Sequence, residues 1–221
     1  MNDVFREDTL SSLQGKAAIG HARYATAGGG GMANVQPLLF RSQKGSLAIA
    51  HNGNLVNATN LKHQLESQGS IFQSTSDTEV LAHLMKRSGF LPLEEQLRNS
   101  LAMLKGAYAF AIMTEEQLMV ALDPNGLRPL SIGRLGEAYV VSSETCAFDL
   151  IGATYERDVQ PGELVIIDDH GLRSEQFVHS AKRAICSMEY VYFARPDSNI
   201  ERINVHTARK FREAACFGGP C

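Results

Sequence analysis

The residues of this 221-residue chain that could do chemistry fall in three short polar signatures: His21-Ala22-Arg23-Tyr24-Ala25-Thr26, His51-Asn52-Gly53-Asn54 and Ser76-Asp77-Thr78-Glu79. An arginine fork can hold a carboxylate through two hydrogen bonds, and an aspartate can hold an ammonium. An Asn-Gly pair offers a side-chain amide and a backbone N–H to a developing oxyanion, where one donor is commonly worth ~3 kcal/mol of barrier. Together the three signatures describe a pocket for an amino acid. What they lack is a nucleophile.

Each signature also has a purely structural reading. Asn-Gly is a turn signal, because glycine takes positive φ freely and asparagine tolerates it. A tight hairpin needs a second strand directly afterwards, however, and residues 57–68 read as a helix. Ser76 and Glu79 have the spacing of a capping box, and Asp77 suits the positive field at a helix N-terminus. A cap of that kind is compatible with Asp77 facing a ligand. For Arg23 the alternative is a structural salt bridge. Gly28-Gly29-Gly30-Gly31 reads as a loop, either a lid over the pocket or an idle surface turn. It is not a phosphate cradle, since no Gly-Lys-Ser or Gly-Lys-Thr follows. His21 and His51 read as structural residues with no catalytic role, and neither a Ser-His-Asp spacing nor a metal-ligand cluster occurs.

The elements that must position these residues can be traced from periodicity. Residues 16–26 are predicted to form a strand with His21, Arg23 and Ala25 on one face. A second strand begins in Gln36-Pro37-Leu38-Leu39-Phe40, and a third spans residues 45–51. Leu61 and Leu65 mark a helix that Asn57 or Thr59 could cap. A second helix starts at Ser76 and stops before Gly89, and a third covers residues 93–105. Strands are predicted at 107–113, 117–123, 130–134, 138–144 and 163–169. Residues 187–210 read as a domain edge, followed by a helix begun by Ala208 to Ala215. Helices grouped before strands argue for an α+β layered fold with largely antiparallel sheets.

Composition narrows the class. With 44% hydrophobic and 20% charged residues the chain is an ordinary globular one. A net charge of -3 and the lack of a basic run argue against nucleic acid and favour a small-molecule partner. No stretch of ~18 apolar residues and no basic-then-apolar N-terminus occurs, so no membrane role is expected and the cytoplasm is the expected compartment. Cys146, Cys186, Cys216 and Cys221 contain no CxxC pair, which reads as reduced thiols rather than a zinc or redox site.

Taken in order, GHARYATAGG at 20–29, LAIAHNGN at 47–54 and Ser76-Asp77-Thr78 resemble the class II glutamine amidotransferase domain, whose members use an N-terminal cysteine as nucleophile. DPNGLRPL at 123–130, SSETCAFD at 142–149 and EYVYFARPDS at 189–198 are similar to one branch of that family, the amidophosphoribosyltransferases. The resemblance covers residues 14–210 and implies the αββα sandwich of N-terminal-nucleophile hydrolases. It implies that Arg23 binds the glutamine α-carboxylate with Thr26 nearby, that Asp77 binds the α-ammonium, and that Asn52 and Gly53 form the oxyanion hole. The glycine loop would close over the bound amino acid. In that family the released ammonia passes to a phosphoribosyltransferase domain and displaces pyrophosphate from phosphoribosyl pyrophosphate, giving phosphoribosylamine in the first step of purine synthesis.

Two departures from the family pattern shape the expectation. The family's starting Cys-Gly strand and its acidic phosphoribosyl pyrophosphate loop have no counterpart here. The expected organisation is therefore a partial amidotransferase domain over 1–185, incomplete at its N-terminus, and the start of a connection to an absent phosphoribosyltransferase domain over 186–221. Such a fragment keeps the glutamine pocket and is expected to be inactive alone. No cofactor is expected in this chain. The resemblance implies magnesium and an iron–sulfur cluster for the full-length enzyme, with Cys186 matching one cluster ligand, and a homo-oligomer. Two other readings stay open: a non-catalytic glutamine-binding or regulatory module, and another class II member such as a sugar-phosphate aminotransferase.

Overall fold

The computed structural model describes residues 11–22, 31–42, 45–178 and 183–217, with side chains as far as residue 212. In chain order the strands are β1 (Leu38–Ser42), β2 (Gly45–Leu55), β3 (Gly106–Met113), β4 (Leu118–Leu122), β5 (Ser131–Leu135), β6 (Ala138–Ser142), β7 (Thr154–Asp158), β8 (Glu163–Asp168), β9 (Gly171–Gln176), β10 (Asn199–Ile200) and β11 (Ile203–Asn204). The helices are α1 (Ala58–Ser67), α2 (Glu79–Arg87), α3 (Leu93–Leu101), α4 (Cys146–Ile151) and α5 (Val205–Phe217).

Six strands form an antiparallel sheet in the order β1-β2-β3-β4-β8-β9, and three form a second sheet in the order β6-β5-β7. Strand alternation in the large sheet explains how both its faces are used. Tyr108, Phe110 and Ile112 of β3 face one way, packing with Leu61 and Leu65 of α1, Leu81 and Leu84 of α2, and Leu97 and Leu101 of α3. Ala109 and Ala111 face the other way, toward Ile132 and Val141 of the small sheet. The same division runs through β4, where Met119 meets the helices and Val120 meets the second sheet.

On the outer face of the small sheet, Gly133 leaves room for α4: a Cβ there would stand only 3.2 Å from the Phe148 ring. The layers are thus helices, large sheet, small sheet and helix, the αββα order expected. Burying a leucine such as Leu97 or Leu101 in such an interior is worth about 1.5–3 kcal/mol.

Several local expectations are corrected. Residues 13–22 form no strand, because no neighbouring strand pairs with them among the described residues; the rest of the predicted 16–26 strand, with Arg23, lies outside the described residues. Asn57 stands at the N-cap of α1, yet its side chain turns to the loop beyond α3, donating to Met103 O at 2.9 Å and accepting from Lys105 N at 2.9 Å. α3 ends at Leu101 rather than 105, and α5 begins at Val205, ahead of Ala208. The segment expected to be an edge holds a small core of its own, built from Ala194, Ile200 and Val205.

Candidate functional site

Between the two sheets, where β2 leaves the core, lies a cleft of about 660 Å³. One wall carries His21, Asn52, Gly53 and Asp77; the other carries Arg128, Ser143, Glu189 and Phe193. The structure therefore brings together Asn52, Gly53 and Asp77 as the sequence led one to expect. Arg23 and Thr26 lie outside the described residues, as do Gly28 to Gly30 of the expected lid.

Asn52 and Gly53 sit inside a strand, which corrects their expected place at a strand end. β2 continues to Leu55, with Asn52 opposite Ala109 and Gly53 opposite Tyr108 on β3. Gly53 has φ of 152°, and a Cβ at that position would lie 2.1 Å from the Ala107 carbonyl oxygen, so only glycine fits. The Asn52 amide points into the cleft and donates to Ser143 Oγ at 3.3 Å, joining the two sheets.

Asp77 lies in the turn before α2, and its side chain is 13% exposed. Oδ2 accepts the Leu55 N–H at 2.8 Å, which ties the start of α2 to the end of β2. Oδ1 is 3.6 Å from His51 Nδ1, a close electrostatic contact beyond hydrogen-bond range. Burial raises the Asp77 pKa, but the neighbouring His51 and the backbone N–H groups of Leu55 and Thr78 outweigh it and hold the carboxyl below its ordinary value. The group is ionised at neutral pH. Among the described residues no lysine or arginine pairs with it.

The expected capping box does not form. α2 begins at Glu79 with Thr78 as its N-cap, so Glu79 lies too early in the helix to reach back to Ser76. Its carboxylate instead accepts the N–H groups of Gln73 at 2.8 Å and Ser74 at 2.7 Å, and the Ser74 hydroxyl at 2.6 Å. Ser76 Oγ accepts the Thr78 N–H at 3.3 Å. This buried lattice fixes the turn that presents Asp77.

The opposite wall was not found from the sequence. Arg128 Nη1 donates to Glu189 Oε1 at 2.6 Å, and its guanidinium lies 5.0 Å from the Phe193 ring centre. Burial pushes the Glu189 pKa up, although Arg128 opposes it. Behind Arg128, the fully buried Asp123 accepts the N–H groups of Asn125 and Leu127 at 2.9 Å and of Tyr108 at 3.3 Å. The residues of this wall lie in the 123–130, 142–149 and 189–198 segments that carried the family resemblance, but partners 61 residues apart leave no periodicity from which their pairing could be read.

Neither described thiol belongs to the cleft. Cys146 is buried in α4, with its pKa pushed up by burial, and Cys186 lies beside Leu127, its N–H bonded to Leu127 O at 3.1 Å. Among the described residues no three His, Cys, Asp or Glu side chains gather as a metal site. Likewise no described helix is long and apolar enough to cross a membrane.

Comparison with known proteins places this geometry in a family. The chain belongs to the glutamine amidotransferase domain family, whose model matches residues 21–149. Among curated relatives it is 70% identical over 211 residues to the amidophosphoribosyltransferase of Bacillus subtilis, covering 95% of this chain and 44% of that protein. It is 47% identical to the amidophosphoribosyltransferase of Staphylococcus aureus, covering 95% of this chain and 43% of the relative. A solved structure of the B. subtilis glutamine phosphoribosylpyrophosphate amidotransferase, complexed with ADP and GMP, superposes with a TM-score of 0.89 at 69% identity, covering 94% of this chain and 45% of that one. The chain thus spans less than half the length of the relatives it matches. That amidophosphoribosyltransferases are the matching branch bears out the reading of the 123–130 and 189–198 segments.

Proposed function

We propose that the cleft binds L-glutamine and that the chain is the glutamine-handling part of an amidophosphoribosyltransferase. The observation that carries this is Asp77, an ionised and mostly buried carboxylate that lines the cleft with no lysine or arginine partner among the described residues, its basic neighbour being His51 Nδ1 at 3.6 Å. Buried charges are normally paired, and the α-ammonium of an amino acid would complete this one. Asn52 and Gly53 lie on the same wall, where a glutamine anchored at Asp77 would place its side-chain amide. In this reading Asn52 Nδ2 and the Gly53 N–H are the oxyanion donors, and Arg23, with Thr26, holds the α-carboxylate.

Hydrolysis needs a nucleophile that becomes acylated while ammonia leaves. In this family that is an N-terminal cysteine, and neither Cys146 nor Cys186 lines the cleft. Neither described thiol is therefore read as the nucleophile, and the described cleft is read as the glutamine-binding part of the site. Residues 186–221 are read as the start of the connection to a phosphoribosyltransferase domain, where ammonia would meet phosphoribosyl pyrophosphate. Magnesium, an iron–sulfur cluster, a homo-oligomer and a cytoplasmic setting belong to the full-length enzyme in this reading. Among the described residues Cys186 belongs to no group of three or more His, Cys, Asp or Glu side chains that could hold a metal.

Titration calorimetry tests the proposal. L-glutamine should bind, glutaramate, which keeps the amide and the carboxylate but lacks the ammonium, should not, and Asp77→Asn should weaken binding by ~10-fold or more, the worth of a charge-assisted hydrogen bond. An electrophilic glutamine analogue followed by intact-mass measurement should leave every cysteine unmodified. Equal binding of glutaramate and glutamine would refute the assignment of Asp77, and stoichiometric labelling of one cysteine would refute the binding-only reading.

A further inference from the structure

His51, the residue preceding the Asn-Gly pair, has no role in the chemistry above, yet it touches every part of that wall. Its side chain is 1% exposed and its ring stacks on Phe110 at 4.4 Å, which fixes the plane of the imidazole. Its backbone N–H donates to Gln36 Oε1 at 2.7 Å, just beyond the point where the β1 ladder ends at Leu38. Its carbonyl oxygen accepts from His21 Nε2 at 3.0 Å. Gln36 also reaches Thr78, donating from Nε2 to Oγ1 at 3.4 Å.

The ring nitrogens are in unlike settings. Nδ1 is 3.1 Å from Thr78 Oγ1 and 3.6 Å from Asp77 Oδ1, both oxygens of the turn that presents Asp77. Nε2 is buried without a hydrogen-bond partner among the described residues and stands 2.8 Å from where a Cβ of Gly53 would be. A proton on Nδ1 gives Thr78 a donor and points an N–H dipole at the Asp77 carboxylate. The other tautomer would set a lone pair against that carboxylate and strand a buried N–H, a costly arrangement. The favoured form is Nδ1–H, with Nε2 bare behind Gly53.

We infer that His51, held as its Nδ1–H tautomer by Thr78, is a positioning residue that sets the spacing between Asp77 and the Asn52-Gly53 pair, and so measures the length of the amino acid bound. This rests on the glutamine reading for its ligand. The imidazole is the rigid spacer between the turn that grips the ammonium and the strand that faces the side-chain amide. Glutamine and asparagine differ by one methylene, so a spacer that gives way lets the shorter amide reach the same donors.

Two measurements test this on the chain as it stands. Nitrogen-15 spectra of the labelled protein should show His51 Nδ1 protonated and Nε2 bare, with that signature lost in Thr78→Val; a protonated Nε2 beside a bare Nδ1 overturns the inference whatever ligand binds. Calorimetry then compares glutamine with asparagine. His51→Asn, whose amide can keep a donor near the Nδ1 position, should retain the preference for glutamine. His51→Gln and Thr78→Val should lower that preference by about three- to tenfold, the worth of a single buried hydrogen bond. An unchanged preference in both folded variants refutes the spacer role. If the wild-type chain binds neither amino acid, the glutamine reading fails while the tautomer result still decides the Thr78-held form of His51.

Discussion

Replacing Gly53 by alanine gives the sharpest perturbation of the cleft, because the cost can be worked from geometry. At φ of 152° a side chain is already strained, at ~1–3 kcal/mol for such a backbone. The new methyl would stand 2.1 Å from Ala107 O, 2.8 Å from Ala107 C and 2.8 Å from His51 Nε2. Two of these are backbone atoms next to the partner of Gly53 on β3, so relief requires the β2–β3 ladder to open locally. The third is a ring locked by stacking and cannot swing aside. Overpacking of this kind adds ~1–3 kcal/mol, for a total of about 2–6 kcal/mol. Against a whole-domain stability of ~5–15 kcal/mol, that is a large fraction. Urea unfolding followed by circular dichroism would show the midpoint falling by about 1–3 M, given a slope of ~2 kcal/mol/M. Gly136→Ala provides the control: its φ of 60° is also left-handed, but no atom lies within 4 Å of the added carbon. That variant should lose only ~1–2 kcal/mol, the backbone penalty alone. A Gly53→Ala protein no less stable than Gly136→Ala would refute the clash argument. So would one that still binds glutamine with wild-type affinity, since the donors at 52 and 53 could not then be set by this close approach.

Asp123→Ala strands the N–H groups of Tyr108, Asn125 and Leu127 in the interior and should cost about 3–5 kcal/mol by chemical unfolding, with a smaller loss for Asp123→Asn. The chain should also weaken in acid. For Asp77, Glu79 and Glu163, burial raises the pKa but is outweighed, by His51, by Ser74 and by Arg157 respectively, so each folded value lies below the unfolded one. Their stabilisation is complete above the unfolded values and is lost as pH falls through the folded ones, which places the loss below about pH 4. Asp123 and Glu189, raised by burial, act in the opposite sense and soften the decline. Melting temperatures between neutral pH and pH 3 would show the fall, a shallower slope in Glu79→Gln would confirm the Ser74 contacts, and a melting temperature that rises on acidification would refute the balance.

Much of the fold was legible because the relevant signals are short-range. Leucines one turn apart gave α1 to α3, and alternating apolar runs gave β3, β4, β6 and β8. Failures occurred where a distant partner decides the outcome. Asn-Gly favours a turn locally, but at Gly53 the β3 backbone approaches so closely that the glycine serves the strand instead. Ser76 and Glu79 had the spacing of a cap, yet the loop at Gln73 and Ser74 captured the carboxylate first. Asp77 and Asn52 were singled out by the chemistry of their side chains and joined into one site by the family resemblance; no periodicity links residues on different elements. The Arg128–Glu189 pair and the Thr78–His51 contact were invisible for the same reason.

The arrangement of charge within the cleft gives the ligand a direction. Arg128 could have neutralised Asp77 across the gap, but Glu189 holds its guanidinium at 2.6 Å and Phe193 covers it. Glu144, at the rim, is likewise occupied, accepting the Arg195 N–H at 2.7 Å and the Ser198 hydroxyl at 2.9 Å. With both spent on protein partners, Asp77, which accepts the Leu55 N–H and lies 3.6 Å from His51 Nδ1, faces the cleft with no lysine or arginine against it among the described residues. A molecule entering with its ammonium toward Asp77 gains from that field, whereas one entering carboxylate first meets repulsion, with few ions inside to screen it. In the proposed reading the amino end is thereby directed to the turn before α2. In the proposed glutamine reading the side chain would extend along β2 toward Asn52 and Gly53, where neutral donors suit an amide whose charge develops only during reaction.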